Sequence, residues 1–189
     1  MGLRISAWLL RPGRLWMAAT WGFAEGTLFF FVPDIILTAT ALFSIRASLK
    51  QMAAATVGAL VGGGLLFGLA GHNPSLVRDI VQSVPFVGRH MFETVERDFT
   101  AMGVWGMLKG PMSGVPYKVY AASARPYASW LTFLLASAPA RLERFILTWA
   151  LFALIGFRYR REITSRPAIA LACHAVFWSG VYGYYWSVI

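Results

Sequence analysis

Charge is what this sequence has least of. Only 13% of its 189 residues are Asp, Glu, Lys or Arg, where a soluble domain carries about a quarter. Acids are the scarcer kind, eight against seventeen Lys and Arg, leaving a formal net charge of +9. That excess does not indicate nucleic acid, because no basic run is interleaved with a soluble fold; the cations sit beside apolar segments instead. There is one cysteine, Cys173, so no internal disulfide forms and the redox compartment stays open. The three histidines, His72, His90 and His174, are scattered without ligand spacing, so neither a metal nor a cofactor is expected. A cleavable signal is not expected either, since Arg11 and Arg14 interrupt the first apolar stretch. The start MGLRIS, with Gly2 and Ser6, fits the loose myristoylation pattern, but a chain with several spans needs no lipid anchor.

What fills the sequence is apolar surface: 58% hydrophobic, 15% aromatic, mean hydropathy +0.59. It reads as an all-α integral membrane protein with basic residues flanking apolar segments. Residues 1–14, with three arginines among Ile5, Trp8, Leu9 and Leu10, suit a short interfacial segment. Leu15 to Phe31 is about 17 residues, the lower limit for a span. Val32-Pro33-Asp34 then breaks it, and Ile35 to Ile45 is too short to cross. Arg46 and Lys50 follow with no acid nearby, as basic as the N-terminus. Both ends therefore read as cytoplasmic and residues 15–45 as a re-entrant hairpin, its broken backbone buried by neighbouring helices.

Gln51 to Gly71 has no charged residue and carries Gly58/Gly62 and Gly64/Gly68, faces on which another helix can pack closely. The hairpin is expected to pack there. Residues 72–100 contain two amphipathic pieces. In the first, Asn73 or Ser75 caps, Pro74 starts the helix, and Leu76, Val77, Ile80, Val81 and Val84 form the apolar face. In the second, Met91, Phe92, Val95 and Phe99 oppose Glu93, Glu96 and Arg97. Nearly balanced charge places this segment on the non-cytoplasmic side, flat on the interface.

Residues 101–157 repeat the design. A short apolar limb, Met102 to Leu108, meets Lys109-Gly110-Pro111; Ser113, Gly114 and Pro116-Tyr117-Lys118 follow, too rich in glycine and proline for one helix. This is a second hairpin, entered from outside. Pro126 to Phe157 is a helix bent at Pro139 that carries Arg141, Glu143 and Arg144 near mid-depth, and Arg158, Arg160, Arg161 and Arg166 mark its end as cytoplasmic. Residues 167–189 form a last span with an aromatic belt, Trp178 to Trp186, at the far interface. The halves 15–71 and 101–157 thus read as an inverted repeat of two re-entrant hairpins, each followed by a transmembrane helix. Broken helices that meet near the midplane are a transporter design.

The hairpin tips, Pro33 in the first and Pro111, Gly114 and Pro116 in the second, bring opposite charges to depth. Glu25 and Asp34 are candidates for proton coupling, because burial disfavours the charged carboxylate. Lys109, Lys118, Arg141 and Arg144 are candidates for a phosphate or headgroup, which guanidinium groups can bind bidentately. The competing reading makes these groups structural ties between the hairpins, with Asp34 capping the following half-helix and Lys118 snorkelling to the interface.

Three pieces of the sequence resemble the DedA family, also called the VTT or SNARE-associated domain, and most closely its short YqaA-like branch. They are Glu25 with Pro33 and Asp34; Pro116 to Val119 (PYKV) after the proline-glycine loop and Lys109; and Ala140, Arg141, Arg144 and Phe145. Lys109 stands where longer members have arginine, and Ala140 where glycine commonly precedes the arginine. The resemblance implies a lipid flippase or scramblase of the bacterial inner membrane with substrates such as phospholipids or polyprenyl phosphates, in several members dependent on the proton gradient. A homo-oligomer is left open.

Alternatives are a non-transporting assembly or trafficking factor and a transporter of a small soluble anion. An enzyme is not expected. Lys118 and Arg125-Pro126 match the first element of phosphatidic-acid-type phosphatases, but the Pro-Ser-Gly-His element is missing, and with it the nucleophilic histidine. The topology predicts that a cysteine at position 50 and a tag at the N-terminus react from the same side of the membrane. A label at position 50 reacting from the opposite side would make residues 15–45 a span.

Overall fold

The computed structural model describes residues 14–188, and the described chain is helical with no strand. The expectations for residues 1–13, the interfacial arginines and the myristoylation pattern, lie outside the described residues. The first helix, α1 (Leu15–Thr27), ends in a widened turn in which the amides of Leu28 and Phe29, four and five residues on, both reach the carbonyl of Ala24, at 3.0 and 2.7 Å. Pro33 cannot continue a ladder and biases Val32 away from helical backbone, so the chain restarts as α2 (Asp34–Ala41). After three residues α3 (Ile45–His72) begins, with the Ser44 hydroxyl accepting from the amide of Ala47.

α3 has 28 residues, about 42 Å at the helical rise. Among the described residues it is the one helix long and apolar enough to cross a membrane. Its glycines decide the packing. A Cβ at Gly58 would overlap the carbonyl of Ala19, one at Gly62 would lie 2.6 Å from the carbonyl of Phe23, and Gly22 and Gly26 of α1 sit on Ala55 and Ala59 in the same way. These pairings advance together along both helices, so α1 runs parallel to α3. The chain must then return between Thr27 and Ile45 to the start of α3, and α2 is that return. Residues 15–45 go out and come back on the Gly58/Gly62 face, as the sequence places them, whereas Gly64 and Gly68, where the hairpin was also expected, are covered by Trp130 instead.

Two amphipathic helices follow, α4 (Pro74–Gln82) and α5 (Arg89–Met102). Asn73 caps α4, its side chain accepting from the amide of Leu76 at 3.1 Å. Val77, Val81 and Val84 are buried, while Leu76 and Ile80 remain exposed, so the apolar face is narrower than the sequence suggests. Met91, Phe92, Val95 and Phe99 are spent on the protein core, where they join Phe67, Tyr120 and Phe133.

The second out-and-back segment begins with a 3₁₀ stretch, Gly103–Lys109, in place of the apolar limb expected there. It continues through a single turn, α6 (Gly110–Ser113), a left-handed Gly114 at φ 73°, and α7 (Tyr117–Ser123). Tyr117 packs over Gly63, and Arg125 beyond α7 lies beside Gly71 and 5.1 Å over the ring of Phe67. α7 therefore climbs toward the His72 end of α3, and the segment enters from the end opposite to the first. α8 (Trp130–Arg158) runs back antiparallel to α3: Phe133 stacks on Phe67 at 4.5 Å, and Gly156 meets the carbonyls of Ala41 and Leu42. A short α9 (Arg160–Ser165) leads into α10 (Pro167–Val188).

The tips of the two segments touch. Lys118 at the start of α7 donates to the carbonyl of Phe29 at the end of α1, at 2.7 Å.

Because a side chain at Gly58 has backbone in its path, Gly58→Leu is expected to destabilise by roughly 1–3 kcal/mol or more. Thermal unfolding of the purified variant in detergent checks this, and a melting temperature equal to wild type would contradict the parallel packing.

Candidate functional site

α8 places Ser137, Arg141, Arg144, Phe145 and Thr148 on one face, at spacings of three and four residues. That face turns toward the meeting point of the tips. Arg141 is 2% exposed. Both of its Nη atoms donate to the carboxylate of Glu25 from α1, the longer bond at 3.4 Å. The aromatic faces of Tyr117 and Phe145 lie 5.0 and 4.8 Å from its guanidinium. A buried charge of this kind is tolerable only when paired and surrounded by donors, acceptors and ring faces.

Arg144 bridges the two acids, 3.7 Å from Glu25 Oε1 and 3.5 Å from Asp34 Oδ2. Asp34 also accepts from the Thr148 hydroxyl at 2.6 Å. It is the first residue of α2 and its side chain makes no capping bond, so the expected cap is replaced by contacts to α8. Lys118 is buried, and its bond to Phe29 rules out the snorkelling alternative.

Of the six charged side chains proposed for the site, the structure brings five together. Lys109 is the exception: its side chain is 48% exposed and its ammonium pairs with Asp98 at 3.2 Å. Asp98 in turn accepts from the Tyr120 hydroxyl at 2.7 Å, tying α5 to α7. Glu143 is exposed on the opposite side of α8.

Glu25, Lys118, Arg141 and Arg144 line one cavity of about 290 Å³. Pro111, Gly114 and Pro116 of the second tip line it as well, whereas at the first tip Val32 does so and Pro33 does not. Lys118, Arg141 and Arg144 outnumber Glu25 and Asp34 by one positive charge. The Nε of Arg141 is buried without a hydrogen-bond partner. A partly open site with excess cation and an unmatched donor suits an anion, above all one with several acceptor oxygens. Among the described residues no group of His, Cys, Asp and Glu is placed to hold a metal ion.

The remaining wall was not legible as a site from sequence. Trp178, Tyr182, Tyr185 and Trp186 of α10 line the cavity with Phe30 and Phe86, so these rings of the expected aromatic belt turn inward. The Tyr182 hydroxyl accepts from the amide of Val32 at 2.8 Å. Lower on α10, His174 and Trp178 meet Thr38 of α2 at 2.8 and 3.1 Å. The spacing of 174, 178, 182 and 185 marks one helical face, a signal that the density of aromatics around it conceals.

Comparison with known proteins assigns the chain to no family: no family model, curated protein or solved structure matches it.

Removing Arg141 alone leaves Glu25 buried and half-paired, so Arg141→Ala is expected to destabilise by about 3–5 kcal/mol. The double variant Glu25→Gln/Arg141→Met should recover a large part of that loss. Denaturant unfolding in mixed micelles measures both. A double variant as unstable as the sum of its single changes would contradict a coupled pair.

Proposed function

We propose that this protein is a membrane-embedded transporter of the DedA type that moves a phosphate-bearing lipid between leaflets. The observation that carries the reading is the cationic cavity formed where two broken segments, entering from opposite ends of α3, meet tip to tip. Opposed segments of this kind amount to an inverted repeat of re-entrant hairpins around a site at mid-depth.

The outer surface supports a lipid environment. Val57, Val61, Leu65 and Leu69 form an exposed stripe along α3, and Leu131, Leu135, Leu147, Leu151 and Leu154 are exposed on α8. So many exposed large apolar side chains on two helices are unusual on a soluble monomer. Orientation follows from charge. Arg46, Lys50, Arg158, Arg160, Arg161 and Arg166 gather at the end where α3 starts, with Glu162 the one acid among them. By the positive-inside rule that end is cytoplasmic, consistent with a bacterial inner membrane.

In this reading Glu25 is both counter-ion and switch. While ionised it occupies the guanidinium groups of Arg141 and Arg144. A proton on Glu25 removes that claim, freeing Arg141 to take a phosphate bidentately and leaving Arg144 paired with Asp34 alone, and Lys118 adds a third cation. Asp34 keeps Arg144 oriented through the cycle. The aromatic wall facing the charges favours a ligand with an apolar portion over a small soluble anion.

The test is reconstitution in liposomes with a fluorescent phospholipid, followed by dithionite quenching. Wild type should move the lipid, and Glu25→Gln and Arg144→Ala should each slow it by at least about tenfold, the effect of losing roughly 1.4 kcal/mol in the transition state. Equal rates for wild type and variants would remove the site assignment. No movement by folded protein would favour a partner-holding role, and phosphate release from the lipid would favour an enzyme.

A further inference from the structure

The turn between α4 and α5 holds the one non-glycine residue with positive φ among the described residues, Phe86 at φ 68°. A bulky side chain there is strained. Gly88 stands two residues later with an ordinary φ of −89°, so the available glycine is not used where it would relieve the backbone. What the strained position achieves is the placement of a ring. Phe86 stacks on Trp186 of α10 with centroids 5.2 Å apart and planes at 11°. Phe30, from the tip of the first hairpin, lies 6.0 Å from Phe86 and 6.4 Å from Trp186.

These rings come from three separate elements and all line the charged cavity. Phe86 and Trp186 are nevertheless each 38% exposed, so the pair forms a partition with one side toward the cavity and the other outward. Behind it stand Arg144 and Lys118. Close to the partition, α10 is held to the hairpins by light polar contacts, the Tyr182 bond to Val32 and a 3.3 Å bond from the Tyr185 hydroxyl to the carbonyl of Gly114. Van der Waals contact between flat rings can be parted without leaving buried polar groups unsatisfied, unlike the Glu25–Arg141 pair on the opposite wall.

We propose that Phe30, Phe86 and Trp186 form the gate of the charged cavity, and that the Phe86 backbone relaxes from its left-handed conformation when the gate opens to admit an anionic headgroup. The gate lies toward the His72 end of α3. It rests on the reading of the cavity as a ligand site, but not on lipid movement.

Solvent access tests it directly. In full-length protein carrying Cys173→Ser, Ala140→Cys places a thiol on the buried cavity wall, and its reaction with a charged, membrane-impermeant thiosulfonate is timed. Phe86→Ala and Trp186→Ala should each raise that rate by at least about tenfold, because a closed gate leaves only a minor open population to react. A thiol at exposed Ser165 should react at an unchanged rate in every background. Phe86→Gly, which relieves the backbone while removing the ring, should melt at a higher temperature than Phe86→Ala. If Phe86→Ala does not fold, Trp186→Ala decides alone. Unchanged rates at position 140 in variants that elute as wild type would overturn the gate. Faster labelling without any lipid movement would uphold the gate and count against the transport reading instead.

Discussion

Arg141 keeps a full charge inside the protein, and the arrangement around it follows from that requirement. Removing such a group from water costs several kcal/mol, which attraction to a carboxylate repays only with good geometry and further contacts. Glu25 supplies the carboxylate from α1, Tyr117 and Phe145 supply ring faces from α7 and α8, and each must arrive from a different part of the chain. The glycine contacts between α1 and α3 set the height of Glu25. The stacking of Phe133 on Phe67 sets the height of Arg141. Neither element could slide by one helical turn without leaving a buried charge unmatched. The pair therefore acts as a register mark for α1 against α8.

A register mark alone would need no cavity. Here the ion pair forms one wall of a cavity that Lys118 and Arg144 also line, and the local balance leaves one positive charge in excess. Stability alone is poorly served by such a surplus, since buried charge without a partner is costly. A mobile anion visiting the site, as proposed, would resolve the imbalance, and a proton on Glu25 would deepen it. The same residues can hold the hairpins together at rest and bind the ligand when one bond is exchanged.

Much of this was legible in the sequence because acids and a proline inside an apolar run have few explanations. Glu25, Pro33 and Asp34 announce a broken segment. The Gly58/Gly62 pair of α3 announces the surface on which α1 lies, and the density of glycine and proline around Pro111 to Pro116 announces the second tip. Gly64 and Gly68 carry the same signal but are covered by Trp130 of α8, because spacing marks a close-packing face without naming its partner. Lys109 was misplaced because sequence gives depth along a limb but not direction around it; the 3₁₀ turn swings it to Asp98. The aromatic wall was concealed for a related reason. Tyrosine and tryptophan at a helix end suit an interface as well as a cavity, and only the packing of α10 on α2 decides which way Trp178 and Tyr182 face. Phe86 left no signal, since backbone strain is invisible in composition.

The central claim is that an anionic headgroup occupies the space between the two tips. A phospholipid with a photoreactive group at its headgroup phosphate, incorporated into vesicles with the full-length protein and cross-linked by light, tests this most directly through peptide mass spectrometry. The account predicts cross-links within Pro111 to Tyr120 and on the Tyr182–Trp186 face of α10, lost in Arg144→Ala. Cross-links confined to the outward stripe of Val57, Val61 and Leu65 would contradict it.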